Sequence, residues 1–220
     1  MLPNLAIKKE SVLARRSREE AEQTRQLLLE TALRHYATYG IHQTSLKAIA
    51  ADAGVTHGAL YWHFKNRDDL IVALASTYTL PFERAYMEHL QAIDQDALSA
   101  LAGFLTDTAK VVLRETQASF TFSVFYQRRA ELPEVPALNE ILQSERMLWL
   151  DYIDRFLKQA RKQKQIRKKT KSQPMAEVLL SQMFGLLILC LWSEDESAPV
   201  STLIATGIEN AIRGLDATKD

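Results

Sequence analysis

With one cysteine, seven glycines and six prolines in 220 residues, the chain has little material for several kinds of protein. The lone Cys190 excludes an intramolecular disulfide and a cysteine-based zinc site, and its apolar neighbours suit a buried thiol in a reducing compartment. Few Gly and Pro, with β-branched residues rarely alternating with polar ones, argue against hairpin-rich sheets and barrels. Net charge is missing too. Because 27 Lys and Arg balance 27 Asp and Glu, there is no histone-like positive field, and any nucleic-acid contact must be local.

Targeting and catalytic signals are equally sparse. Residues 1–22 carry Lys8, Lys9, Arg15, Arg16 and Arg18 broken up by Glu10, Glu19, Glu20 and Glu22. That pattern fits neither a signal nor a transit peptide and predicts a flexible arm. The longest apolar run, 178–192, is interrupted by Ser181 and Gln182 and is shorter than the ~20 residues a membrane span needs. A cytoplasmic protein with no membrane partner is expected. The histidines are scattered (His35, His42, His57, His63, His89), and there is no Gly-rich phosphate loop. No recognisable catalytic set results, so no enzyme activity, cofactor or metal is expected.

What the chain does have is helical periodicity and enough apolar residues, 47%, to fill a sizeable core. Leu29, Leu33 and Tyr36 predict a helix over 24–39, stopped by Gly40. Leu46, Ile49, Ala50 and Ala53 predict a short second helix behind a Thr44 or Ser45 cap. Gly54 permits a sharp turn, and a third helix follows over roughly 56–64. Asn66 and Asp69 resemble a capping box opening a fourth, 67–79, with Leu70, Ile71, Leu74 and Tyr78 on its stripe. Short helix, glycine turn and short helix make a helix-turn-helix pattern. Further amphipathic segments are predicted at 82–93, 97–114, 119–129 and 137–163. Pro174 then opens an almost wholly apolar helix, and a last helix carries Val200, Leu203, Ile204, Gly207, Ile208, Ala211 and Leu215. That final pair suits a dimer interface or an internal core.

On a helical wheel Leu60 and Phe64 face the core, while Gly58 and Trp62 point away, flanked by His57, Tyr61 and His63. An exposed Trp beside a Gly invites a binding explanation, because Gly inside a helix costs ~1 kcal/mol unless something must approach closely. A DNA duplex would fit. Thr56 and the first-turn amides, Tyr61 and His63 suit phosphate oxygens, with Lys47 and Lys65 adding charge at the edges. His57, Thr56 and Gly58 lie where bases would be read. No Arg or Lys falls between Lys47 and Lys65, so the bidentate Arg-to-guanine contact is missing from this helix. Spacing alone also allows a plain helical bundle with surface aromatics.

Thr44-Ser45-Leu46-Lys47-Ala48-Ile49-Ala50, followed by Ala53-Gly54-Val55-Thr56-His57-Gly58-Ala59-Leu60-Tyr61-Trp62-His63-Phe64-Lys65-Asn66-Arg67-Asp68-Asp69-Leu70, resembles the TetR/AcrR family of transcriptional regulators, above all repressors of multidrug efflux pumps. The resemblance implies an all-α chain. A flexible arm (1–22) leads into a three-helix DNA-binding head (23–66), then a larger ligand-binding and dimerisation domain (67–220) linked through the fourth helix. It also implies a homodimer on a near-palindromic double-stranded operator, released by a small apolar or aromatic effector. Thr44 or Ser45, Lys47, Thr56, Tyr61, His63 and Lys65 would then hold phosphates, while His57 and Gly58 approach bases and Trp62 stays on the exposed face. His57 departs from the family, where Arg or Lys is common. For the effector cavity the resemblance, with the usual aromatic and polar lining of pockets, points to Phe104, Thr108, Phe122, Tyr126, Trp149, Gln182 and Met183. The stretch 158–171, with eight basic residues and no acidic one, reads as a solvated helix end and loop, with an anionic partner or a second DNA contact as the alternative.

Overall fold

The computed structural model describes residues 4–192 and 200–215, with backbone alone for 4–17, 200 and 201. The chain forms two compact units. One comprises Met1–Thr77 with Ser123–Val135, and the other Tyr78–Phe122 with Pro136–Asp220.

In the first unit, α1 spans Asn4–Tyr39, α2 Leu46–Asp52, α3 His57–His63 and α4 Arg67–Thr77. Helix α1 starts twenty residues before the periodic stripe that predicts it. From Asn4 onward the expected arm is therefore helix, and residues 1–3 lie outside the described residues. No Gly or Pro falls between Pro3 and Gly40, and the segment is rich in Ala, Glu, Lys and Arg, so nothing interrupts helical hydrogen bonding. Gly40, at φ +91°, ends the helix in a conformation that side chains other than glycine's rarely adopt.

Each short helix is capped as its sequence suggests. The Ser45 and Thr56 hydroxyl oxygens accept from the amides of Ala48 and Ala59, each at 3.1 Å. Between the two helices Gly54 sits at φ +68°. Asn66 caps α4 by accepting from the Asp69 amide at 2.8 Å, while Asp69 accepts from the Lys65 amide at 3.0 Å. Leu28, Leu29, Leu33, Ile49, Leu60, Phe64, Leu70, Ile71 and Leu74 bury their side chains in this unit.

The unit boundaries differ from the expected ones. Helix α4 packs on α1 and belongs to the head rather than opening the larger domain. A distant piece joins it: a π-helical turn, Ser123–Gln127, and a 3-10 turn, Arg129–Glu131.

The second unit contains α5 (Phe82–Leu90), α6 (Ala97–Arg114), α7 (Thr116–Phe122), α8 (Pro136–Lys162), α9 (Ser172–Trp192) and α10 (Val200–Arg213). Helix α8 packs on α9 and α6, and α10 on α6 and α9. The helix expected over 119–129 ends as α7 at Phe122. Helix α9 begins two residues before Pro174, whose missing N–H is harmless in a first turn. At 21 residues α9 is long and apolar enough to cross a membrane by length and composition, which the shorter run read from sequence was not. Ala176, Leu179, Leu180, Met183, Leu187 and Cys190 are buried at helical spacing along it. The turn between α8 and α9 grips the start of α6, where Gln163 and Gln165 accept from the amides of Ala97 (2.9 Å) and Leu98 (3.2 Å).

Candidate nucleic-acid interface

Helix α3 is seven residues long, and its orientation rests on neighbours. Its Leu60 is fully buried, as is Phe64 just beyond, and the Arg25 guanidinium lies 5.6 Å from the Phe64 ring centre. Helix α2 is anchored to α1 at its end: Asp52 receives hydrogen bonds from Arg34 and, at 3.0 Å, from His35. Those bonds, Arg34 first, hold the Asp52 carboxyl below its usual range. Arg67 of α4 donates to the Thr44 carbonyl at 3.0 Å, closing the loop before α2.

The opposite face of α3 carries His57, Gly58, Tyr61 and Trp62, all exposed, and Trp62 most of all at 73%. A soluble protein seldom leaves so much indole in water without a partner to cover it. The rings brace one another edge-on, His57 with Tyr61 at 4.8 Å between centres and Trp62 with His63 at 4.6 Å. Around Gly58, a Cβ would meet only the Thr56 hydroxyl, at 3.9 Å. Nothing among the described residues requires glycine there, which leaves room for close approach from outside.

The expected phosphate ligands divide. Ser45, Lys47, Thr56, Tyr61 and Lys65 are exposed around α2 and α3. Both capping hydroxyls spend an oxygen lone pair on their helix and keep the O–H free to donate. His63 is half-buried, and desolvation, followed by the nearby Arg25 charge, pushes its pKa below the usual value. Thr44 is different: it is buried, and its hydroxyl donates to the Gly40 carbonyl at 2.8 Å. It braces the loop before α2, so of the pair Thr44 or Ser45 only Ser45 faces outward.

Sequence reasoning missed the clasp at the far end of α1. Arg128 donates to the Ala37 carbonyl at 3.3 Å and pairs with Glu131 at 3.0 Å, while Glu131 accepts from the buried Ile41 amide at 2.8 Å. A Cβ on Gly40 would stand 3.0 Å from the Glu131 carboxylate and 3.2 Å from the Arg128 guanidinium. The φ calls for glycine there, and a Cβ would also push the tips of the two clasp side chains aside by a few tenths of an ångström. A separation of ninety residues gives local sequence no means of signalling this contact.

In the larger unit an aromatic cluster runs through the core. Phe82 stacks on Trp149 (4.4 Å between centres) and Tyr86 on Tyr152 (3.9 Å), Phe104 lies against Phe156 (5.6 Å), and Phe184 bridges Trp149 (5.9 Å) to Phe122 (5.2 Å). Of the expected cavity residues, Phe104, Phe122 and Trp149 join this cluster, and Thr108 and Met183 are buried in the same unit. Gln182 does not join it. It is exposed and donates to the Gly207 carbonyl of α10 at 3.2 Å. Tyr126 belongs to the Ser123–Val135 segment of the head unit.

Two capped helices hinged at a left-handed glycine, the second exposed along one whole face, define a helix-turn-helix DNA-binding regulator. Comparison with known proteins reaches the same class: residues 28–74 match the family described as bacterial regulatory proteins, tetR family. The chain belongs to that family. It is 31% identical over 144 residues to the HTH-type transcriptional regulator AcrR of Shigella flexneri, a stretch covering 66% of each chain and so just under two thirds of that relative. To the HTH-type transcriptional repressor BepR of Brucella suis it is 28% identical over 181 residues, 79% of this chain and 83% of BepR. In fold it is similar to NalD, the secondary repressor of the MexAB-OprM multidrug efflux pump in Pseudomonas aeruginosa. The TM-score is 0.70 and the identity 21%, over 90% of this chain and 98% of NalD.

Proposed function

We propose that the chain is a homodimeric repressor that binds a near-palindromic operator through α3 and is released by a small apolar or aromatic molecule. The observation that carries this reading is the α3 face, where His57, Gly58, Tyr61 and Trp62 lie exposed beside two capping hydroxyls with free donors. His57 and Gly58, at the helix start, approach base edges. Ser45, Lys47, Thr56, Tyr61, His63 and Lys65 hold backbone oxygens on either side.

A second copy covers the apolar residues that α9 and α10 leave exposed, Val178, Leu189, Trp192 and Leu203. Two heads in one dimer meet half-sites about 34–36 Å apart. The aromatic cluster from Phe82 to Phe184 is the effector site, with flat apolar faces suited to stacking against an aromatic ligand. Occupancy bears on the head through Ser123–Val135, whose ends continue into α7 and α8 and whose Arg128 and Glu131 grip the end of α1. An effector with higher affinity for the non-binding arrangement releases the operator. By analogy with the relatives, an efflux-pump operon and the repressor's own gene are the proposed targets, no catalytic role is assigned, and the protein works in the cytoplasm.

The test is selection of tight-binding duplexes from a random pool, followed by titration at two salt concentrations. One inverted repeat bound far more tightly than bulk DNA supports the reading. Enrichment of no sequence sinks it.

A further inference from the structure

A cleft of about 530 Å³, within the size range of small-molecule sites, opens where the α8–α9 turn, the start of α6 and the end of α10 meet. Its apolar lining comes from Leu98, Ala102 and Ile212, and cations stand over it from Lys164 and Arg213. All of these belong to the larger unit, and none is part of the aromatic cluster.

Lys164 is the unusual member. The Lys164 amide bonds to the Arg161 carbonyl (3.1 Å) and the Gln165 amide to the Ala160 carbonyl (2.9 Å), the pattern that ends a helix with one left-handed residue. Glycine ordinarily fills that place, yet here a lysine does so at φ +60°. Among the described residues its ammonium has no hydrogen-bond or ion-pair partner. Strain accepted at a position where glycine would be free, by a side chain left unpaired, is the mark of a group kept for something outside the fold.

The acids on the cleft are already engaged. Asp96 accepts from the Ser99 amide (3.0 Å), the Ser99 hydroxyl (2.6 Å) and Gln165 (2.7 Å), and Glu209 lies 3.6 Å from Arg213. The cleft itself carries two acids, Asp96 and Glu209, against Lys164 and Arg213, and Lys164 belongs to a stretch, 155–176, in which no acidic residue occurs. No group of His, Cys, Asp or Glu that could hold a metal ion is found among the described residues.

We propose that this cleft binds an anionic amphiphile, a small molecule with one carboxylate or phosphate head and an apolar body. Lys164 holds the head, and Leu98, Ala102 and Ile212 take the body. Such a ligand ties the α8–α9 turn to α10, and its site is separate from the aromatic effector site.

Calorimetric titration of the full chain with octanoate, octyl phosphate and octanol tests this. At least one of the two anions should bind one per chain, about tenfold or more tighter than octanol, with an affinity that falls as salt rises. Which one binds identifies the head group. Lys164→Gly should raise the thermal midpoint of the unliganded protein, since glycine relieves the strained φ, and should bring the anion's affinity down about tenfold to the level of octanol. Failure of both anions to bind, octanol binding as tightly as they do, or equal anion affinity in Lys164→Gly and wild type overturns the assignment.

Discussion

Glu131→Ala should loosen the head by about 2–3 kcal/mol, an amount that can be worked out contact by contact. The Ile41 amide, on a residue 1% exposed, loses its only acceptor, and an orphaned buried donor costs roughly 1–3 kcal/mol. The pair with Arg128 adds less. Its two side chains are 31% and 27% exposed, so solvent screening holds it to about 0.5–1 kcal/mol. Glu131→Gln keeps an acceptor for the amide and loses only the charge, so it should cost about 0.5–1 kcal/mol. Urea denaturation followed by circular dichroism measures both variants, and hydrogen exchange at the Ile41 amide reports the bond itself.

Acid provides a second handle on the same contact. Desolvation raises the Glu131 pKa, but hydrogen bonds from Arg128 and the Ile41 amide outweigh it, and the folded value lies below the usual 4.5. A depressed carboxyl stabilises the fold above pH ~4.5, and that contribution is lost as pH falls through the lower folded value. Glu131→Gln should therefore be less acid-sensitive than wild type below pH ~4.5. An alanine variant within 0.5 kcal/mol of wild type, or a glutamine variant as unstable as alanine, would refute the account.

Three further outcomes are expected. Lys65→Ala should reduce the slope of log affinity against log salt by ~1, while Tyr61→Ala weakens operator binding with little change in slope; identical slopes for Lys65→Ala and wild type remove that phosphate contact. Tyr36 is fully buried, its hydroxyl without a hydrogen-bond partner among the described residues, and burial pushes its pKa up to about 12, so Tyr36→Phe should stabilise the protein by about 1 kcal/mol in urea denaturation; a loss of stability would reveal a bond at that hydroxyl. Leu203→Glu should shift sedimentation towards monomer and abolish operator binding, whereas a dimer unchanged by it would place the interface elsewhere.

Local order decided much of this protein. The helix positions, the Ser45 and Thr56 caps, the Asn66–Asp69 box and the glycine turn all follow from residues within four positions of one another, the range over which hydrogen bonds and side-chain neighbours in a helix act. For the same reason the exposed face of α3 could be read from a wheel, which needs only 100° per residue and one buried pair. The aromatic content of the core was equally visible, although its membership was not. Phe82, Tyr86, Tyr152, Phe156 and Phe184 meet Phe104 and Trp149 because separate helices bring them together.

What the tertiary structure alone decided is which polar groups are free. Thr44 and Ser45 are neighbours with the same chemistry, and only packing against Gly40 and His35 turns one inward. Gln182 matches the composition of a pocket lining, and its register on α9 sends it to α10 instead. The clasp of Arg128 and Glu131 on the end of α1, the transfer of α4 to the head and the left-handed turn at Lys164 all depend on contacts between residues far apart in sequence, or on how a helix end is packed. A chain's pattern records which residues want burial or a cap. Which partner each one finds is a matter of geometry that exists only after the helices have packed.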